Sequence, residues 1–525
     1  MIQRNTQTPE YWRNLTLSQD DVEFLHNLLL DAGSPLTTQD LAERLVAERC
    51  RREEVQLRNE LSRGEMYQPK KEFAVGARVI FPALDFALGE VVEVRPGQNP
   101  EYGEFDVVTV DLGTGRRRRS FASRLAAPHK LNVDVADLTV SGDMATPEEL
   151  LRGVAAVVPS ALAEALTAQP GFAQFENRWL LSDLLTDVHV GHLNIVEALI
   201  EVRNTPLETN ALLRELDLPA ELPRDVAAFS LHSVMAADGR FDQVGAGDTR
   251  QWYLRRLEPP EALEIPESLV YRPIRYDPSA LSMALQQLEL ELDDEWSDSE
   301  PYSTALRESA PSTTLRLTYP HLIAGTLPLN RHSRPFFPRG HGDRTMVTLI
   351  DGRWGQRFPA WAFHDSRYIA GLRPWFEQHK LPAGAYITLE RRDESGEVVV
   401  DFRPRRMRRE WTRWAHAVDG RLDIQPRKQE VACEHDELMI IGDDSPAEIA
   451  KLRRSPAYAE APLEKLVYEV FTELAGLSTQ GSVNARTIYS TLNVVRRCPP
   501  GPVFAALATD VRYQPVGQDE FRLAV

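Results

Sequence analysis

Three cysteines in 525 residues, Cys50, Cys433 and Cys498, are too few and too far apart for a disulfide framework or a cysteine-built zinc site. No metal and no cofactor is expected. The chain has no run of 18 apolar residues and no basic-then-apolar leader, so neither a membrane helix nor a secretory signal is predicted, and the expected location is cytoplasmic. The phosphate loop G-x-x-x-x-G-K-[ST], the zinc motif H-E-x-x-H and the nucleophile elbow G-x-S-x-G are all missing. Positive charge is also in deficit. Sixty Lys and Arg against 78 Asp and Glu leave a net charge of −18, which disfavours a polyanionic partner taken over the whole surface.

What is present is length enough for three to five domains, with 42% apolar and 26% charged residues as in globular proteins. Thirty-six prolines imply many breaks between short elements. The charge is unevenly spread. Residues 331–428 hold 20 Lys and Arg against 12 Asp and Glu, a basic island of about +8 in a chain that is otherwise about −26.

Two stretches, "ADGRFDQVGAGDTRQWYLRRL" and "TDVRYQPVGQDEFRLAV", repeat one pattern: an acidic residue, Arg with an aromatic, Val-Gly, polar residues, then an apolar strand. Each follows three apolar-periodic helices, and each reads as a closing hairpin, with Gly245 and Gly517 suited to its turn and Trp252 and Phe521 folding back onto the helices. From Leu17 the chain has the same opening, with Ser18 as N-cap, "AGSP" as a break, a second helix from Thr37 or Thr38 and a third near Arg52. No closing hairpin is evident before "FAVGARVIFPALDFALGEVVEVRPG", where short strands and turns begin that suit a small SH3-like or Tudor-like barrel.

The helical repeats resemble the HARE-type winged-helix family at about 17–63, 192–257 and 462–525. The resemblance rests on Pro206-Leu207 with Phe241, Val244 and Gly245, on Tyr513, Val516 and Gly517, and on "SPLTTQDLAERL". Over about 313–405, "TLPLNRHSRPFFP", "VTLIDGRWGQRFPAWAF" and "RYIAGLRPWFEQHKLPAGAYITL" are similar to the plant-type DNA-binding pseudobarrel family. Trp375, Phe376, Leu381 and Gly384 match, whereas Ala385 stands where that family has an acidic residue.

The expected class is therefore multidomain α+β, with winged-helix modules, a small SH3/Tudor-like β-barrel and a central DNA-binding pseudobarrel. The expected segments are a helix-turn-helix module at 1–68, the small barrel at 69–131, a helical segment and winged helix at 145–257, and an acidic linker at 258–312. A pseudobarrel at 313–410, a basic then acidic linker at 411–460 and a winged helix at 461–525 complete the chain.

The pseudobarrel resemblance implies two DNA-gripping arms, one around Arg331, His332, Arg334 and Arg339 and a second around Arg353 and Arg357. Guanidinium forks pair with phosphate or with guanine, but arginines scattered on a barrel also serve solubility alone. The run "RPRRMRREWTRWAH" adds Arg403, Arg405, Arg406, Arg408, Arg409 and Arg413 beside Trp411 and Trp414, joining charge neutralisation to flat stacking surfaces. Its alternative is a helix whose tryptophans pack inward.

Arg116 to Arg119 form a third basic cluster, on a hairpin tip, with phosphate contact as the functional reading and a solvated tip as the plain one. The acidic run "LELELDDEWSDSEPYS" reads as a solvated spacer. "HVGH" at His189 and His192 and "CEHDE" at Cys433 to Glu437 lack the further ligands a metal needs. Glu397 and Asp401 supply carboxylates as in a metal-dependent nuclease, but without a lysine to activate water. The expectation is a non-enzymatic, transcription-related protein whose partner is double-stranded DNA, with RNA polymerase or another protein docking on the winged helices and acidic linker. The alternative is an interaction scaffold associated with RNA polymerase and lacking a DNA site of its own.

Overall fold

The computed structural model describes residues 5–84, 86–113, 118–132, 146–153, 157–219, 221–247, 250–297, 311–392, 397–439 and 442–524. The chain is α+β and divides into two compact units, Met1–Val188 with Leu218–Val234, and His189–Asp217 with Met235–Val525.

In the first unit, Ser18 and Thr37 each close a capping box with the acid three residues on, Asp21 and Asp40. These boxes start α1 (Gln19–Ala32) and α2 (Thr38–Ser62). Gly33, at φ +56°, ends α1 in the left-handed conformation, and strand β1 (Leu36–Thr37) follows. No third helix starts near Arg52. Instead α2 runs on, with Arg52 paired to Glu48 and Arg58 to Glu54 one turn away.

Five strands come next, β2 (Glu65–Met66), β3 (Arg78–Phe81), β4 (Ala87–Pro96), β5 (Asp106–Asp111) and β6 (Arg119–Ser123), paired in sequence order. Tyr67, Phe73, Phe81 and Val110 fill their core. The chain then returns to the first layer with α3 (Val158–Thr167) and a hairpin, β7 (Phe172–Phe175) and β8 (Arg178–Leu181), whose last strand pairs with β1. Val158, Leu162, Leu166 and Trp179 share one core with Leu25, Leu29, Leu41 and Leu45. The boundaries expected at 68 and 145 are thus corrected: the five-stranded sheet is an insertion, and the hairpin absent before it lies more than a hundred residues later.

In the second unit the same order recurs in α4 (Val190–Arg203), β9 (Leu207–Glu208) and α5 (Thr209–Leu213). It continues through α6 (Arg224–Ala237), which begins among first-unit residues, to the hairpin β10 (Phe241–Gln243) and β11 (Gln251–Leu254). The stretch 258–312, expected as a linker, contains α7 (Met283–Leu292). Its leucines 285, 288 and 292 are buried while Glu291 faces water, and the acids that follow, Asp294 and Glu295, are themselves buried. Residues 298–310, which include the end of the acidic run, lie outside the described residues.

A seven-stranded sheet follows: β12 (Ser312–Arg316), α8 (Tyr319–Ala324), β13 (Thr326–Pro328), β14 (Thr345–Asp351), β15 (Arg357–Phe363), β16 (Tyr368–Ala370), α9 (Arg373–His379), β17 (Tyr386–Arg392) and β18 (Glu397–Phe402). Its strand order is β12-β17-β18-β14-β15-β16-β13, antiparallel except for β14 with β18. The stretch expected as a second linker is a β-ribbon, β19 (Pro404–Val418) with β20 (Arg421–Cys433), then β21 (Gly442–Asp443) and α10 (Pro446–Arg454).

The third occurrence of the helical plan closes the chain: α11 (Leu463–Leu477), β22 (Ser482–Asn484), α12 (Ala485–Val495), α13 (Pro500–Thr509), β23 (Tyr513–Pro515) and β24 (Glu520–Leu523). The three copies agree in register. Each short strand crosses the last strand at an apolar pair, Leu36 with Trp179, Leu207 with Trp252 and Val483 with Phe521. In each, the first N–H of the second helix donates to the carbonyl before the last strand: Thr38 to Asn177 (2.7 Å), Thr209 to Arg250 (3.4 Å), Ala485 to Asp519 (2.8 Å). Trp252 and Phe521 are buried. Gly245 and Gly517 do not have positive φ; in the second hairpin Gly247 does, at +57°.

Candidate nucleic-acid interface

Asp419 and Gly420, at φ +49° and +74°, form the two-residue turn that joins the ribbon strands. Near this turn Ala415, Leu422 and Ile424 sit in the core of the third helical module. At the other end Val431 and Cys433 enter the core of the seven-stranded sheet. Between these anchorages most of the ribbon's side chains reach water, Thr412 being buried, and a bulge between Pro404 and Arg408 adds two residues to β19. Arg406, Arg408, Arg409 and Trp411 are exposed there, and Lys428, directly opposite Trp411, holds its ammonium 5.1 Å from the indole.

The run is therefore strand, not helix. Arg405 is bonded to Glu410, Arg413 donates to the Glu437 carbonyl at 2.7 Å, and Arg427 pairs with Asp444 at 2.5 Å over the Trp414 ring. Arg403 lies over Tyr386. Among the described residues, Arg406, Arg408 and Arg409 have no carboxylate partner.

The seven-stranded sheet treats its arginines differently. Arg339 binds Asp365 at 3.0 Å, Arg353 binds Asp401 at 2.8 Å, and Arg357 binds Glu397 at 3.0 Å. Arg334 donates to the Leu329 carbonyl, while Arg331 stays 3.8 Å from Asp293. His332 holds the same Asp293 at 2.5 Å, a hydrogen bond that raises the imidazole pKa. The cleft beside His332, about 180 Å³, is lined by Glu291, Asp293, Asp294 and Glu295, so it is no seat for phosphate.

Arg334 and Arg339 both lie near the half-buried His364, whose pKa falls to about 4 through burial and then those two cations. Arg353 and Arg357 stand at the opposite end of β15, some ~20 Å away at strand rise. The two expected arms do not form one continuous cationic surface.

The third helices of the three modules carry no cationic excess. Neither α3 nor α13 contains Lys or Arg, and α6 sets Arg224 beside Asp225. Almost every residue of α12 and α13 is buried.

The second hairpin is itself docked. Val244 accepts from Met346 N–H (2.8 Å), Gly247 donates to the Arg339 carbonyl (3.2 Å), and Ala246 bridges to Gly340. Beneath this seam the buried Arg344 joins Glu258 (2.6 Å) and Asp242 (3.2 Å). Burial, reinforced by Asp242 and opposed by Arg344, pushes Glu258 up from 4.5 to about 7. A carboxyl raised in the folded state contributes stability that is present in acid and lost as pH rises toward 7. Glu258→Gln should therefore flatten the fall in stability between about pH 4.5 and 7 relative to wild type, measured by urea unfolding across that range; parallel pH profiles would refute the assignment.

The remaining motifs serve the fold. His189 caps α4 and stacks on His192, rings 3.9 Å apart. Cys433 is buried, its thiol pushed up to about 11, and Asp436 is bound by Arg486 at 2.5 Å. Glu397 and Asp401 are the partners of Arg357 and Arg353. Of the hairpin-tip cluster, Arg116 and Arg117 lie outside the described residues, and Arg118 is 3.6 Å from Asp111. Among the described residues no group of three His, Cys, Asp or Glu could hold a metal, and no helix is long and apolar enough to cross a membrane.

Sequence reasoning did not single out Trp354, exposed in the turn between β14 and β15; a tryptophan inside the turn sequence "DGRWGQR" was the available signal. No family model, curated protein or solved structure matches the chain.

Proposed function

We propose that the protein is a non-enzymatic, transcription-related DNA-binding protein that grips the phosphate backbone through the β19–β20 ribbon. The three helical modules serve as structural and docking blocks. The observation that carries this reading is the set Arg406, Arg408 and Arg409, exposed and without carboxylate partners, on a rigid strand held at both ends. An antiparallel ribbon suits the major groove in width, and unpaired guanidinium groups release counterions on meeting phosphate.

The order helix, strand, helix, helix, hairpin supports the winged-helix reading of the modules. Seven strands with two short helices support a pseudobarrel reading of the central sheet. Third helices without cationic excess argue against groove reading by the modules. The ion pairs of Arg339, Arg353 and Arg357 favour the ribbon over the barrel arms, since each exchange for phosphate must first break a pair.

Random-sequence duplex binding across a salt series tests this. Replacing Arg406, Arg408 and Arg409 together by Ala should weaken affinity at least ~10-fold at 0.1 M salt and reduce the log–log salt slope by about 3. Replacing Arg331, Arg334 and Arg339 should have the smaller effect. Unchanged binding in the ribbon variant, with the barrel variant impaired, would return the grip to the barrel.

A further inference from the structure

Of nine tryptophans, all within the described residues, only Trp354 and Trp411 are exposed, at 62% and 67%. Trp354 projects from the turn after β14, and that turn is fixed from several sides. Asp351 takes the N–H of Arg353 at 2.8 Å, Gly355 at φ +69° donates back to the Asp351 carbonyl at 2.8 Å, and Gly352 donates to Val400 at 2.9 Å. No room exists for Gly352 to move inward, because a Cβ there would lie 2.8 Å from the Asp401 side chain.

The indole rests on the ring of His379, centroids 4.5 Å apart, and His379 is buried with its Nε2 3.0 Å from the buried Asp351 carboxylate. The imidazole is also wedged against Trp375 and Phe402. Arg353 is drawn aside to Asp401 and to the Phe402 carbonyl, so it leaves the indole uncovered. The result is a flat ring with one face supported and the rest open to water.

We infer that Trp354 is a stacking platform for an unpaired base, so that the protein takes single-stranded nucleic acid in addition to duplex backbone. In a duplex the base faces are already stacked, and only a splayed or single-stranded base offers a face to an indole. The platform is continuous with the ribbon: Phe402 touches both His379 and Arg353, and β19 begins two residues later. Trp411 lies nine residues beyond Phe402, at most ~30 Å along the strand, with Arg406, Arg408 and Arg409 between them. A strand laid along this path meets a ring at each end and cations in the middle.

This inference rests on the nucleic-acid reading of the ribbon, and its test separates the two. The full chain is titrated with a fluorescent oligothymidylate and with a duplex of equal length, using wild type, Trp354→Ala and Trp354→Phe. Trp354→Ala should weaken single-strand binding about 10-fold, within the range per stacked base, while leaving duplex affinity and the salt slope unchanged. Trp354→Phe should keep most of the single-strand affinity.

Single-strand affinity unaltered in Trp354→Ala, with duplex still bound, overturns the platform and leaves the ribbon reading in place; a protein-docking role for the ring would give this outcome. Absence of binding to either probe by wild type overturns both.

Discussion

Arg497→Met is expected to cost the protein about 3–5 kcal/mol of stability, because it leaves two buried acidic side chains without their cation. The Arg497 side chain is 2% exposed and donates to Asp294 and Glu295, each at 2.6 Å. Asp294 also accepts from the Tyr489 hydroxyl at 2.6 Å, and Glu295 lies 3.3 Å from Nε2 of the buried His321, whose Nδ1 meets Thr326. Burial opposes charge on both acids. For Glu295 the attraction of Arg497 and His321 prevails and holds it well below the usual carboxylate range, whereas burial keeps Asp294 raised.

The cluster ties the segment after α7 to α8 and to the end of α12, which seats the third module against the sheet and so fixes one anchorage of the ribbon. Neutralising the acids as well, in Arg497→Met with Asp294→Asn and Glu295→Gln, should recover much of the loss, since no unpaired charge then remains buried. Denaturant unfolding measures both variants. A loss below about 1 kcal/mol for Arg497→Met would mean that water reaches the cluster.

The parts of this arrangement that local sequence reveals are those whose partners are near in the chain. The apolar spacing of Leu463–Leu477 and of Ala485–Val495 marks two helices, and the hairpin Tyr513–Leu523 follows within thirty residues, so the last module is readable end to end. The first module is not, because Leu36 pairs with Trp179 across an inserted sheet and no periodicity spans that gap.

The ribbon had a signal in Asp419–Gly420, the strongest short hairpin turn, but the density of arginine before it hides the strand alternation. The site divides in the same way. The basic island is visible as composition, yet which of its arginines are free is not. Arg353 meets Asp401 and Arg339 meets Asp365 only through strand pairing, while Arg406, Arg408 and Arg409 are left over by the fold. Trp354 looks like any turn residue until His379, twenty-five residues on, is seen beneath it.

Gly340→Ala and Gly342→Ala are expected to undock the second hairpin. A Cβ at 340 would lie 1.9 Å from the Gly245 carbonyl oxygen, and one at 342 would lie 2.0 Å from that of Gln243. Both obstacles are backbone, so relief requires the hairpin to move as a body, breaking its bonds to Met346 and Arg339 and wetting the Arg344–Glu258 pair.

Each variant should lose about 3 kcal/mol, the upper end of ordinary overpacking, and hydrogen exchange should accelerate at the Met346 and Gly247 amides before the rest of the sheet. Gly476→Ala is the control. It is an exposed helical position with nothing near its Cβ, and should gain about 0.5–1 kcal/mol. Equal behaviour of Gly476→Ala and the two hairpin-contact variants would show that the hairpin does not lie on the sheet. The same variants also bear on function: were this hairpin a duplex reader masked by docking, its release would tighten duplex binding. With the grip in the ribbon, held by other cores, duplex affinity should stay within about twofold of wild type, a change of less than ~0.5 kcal/mol.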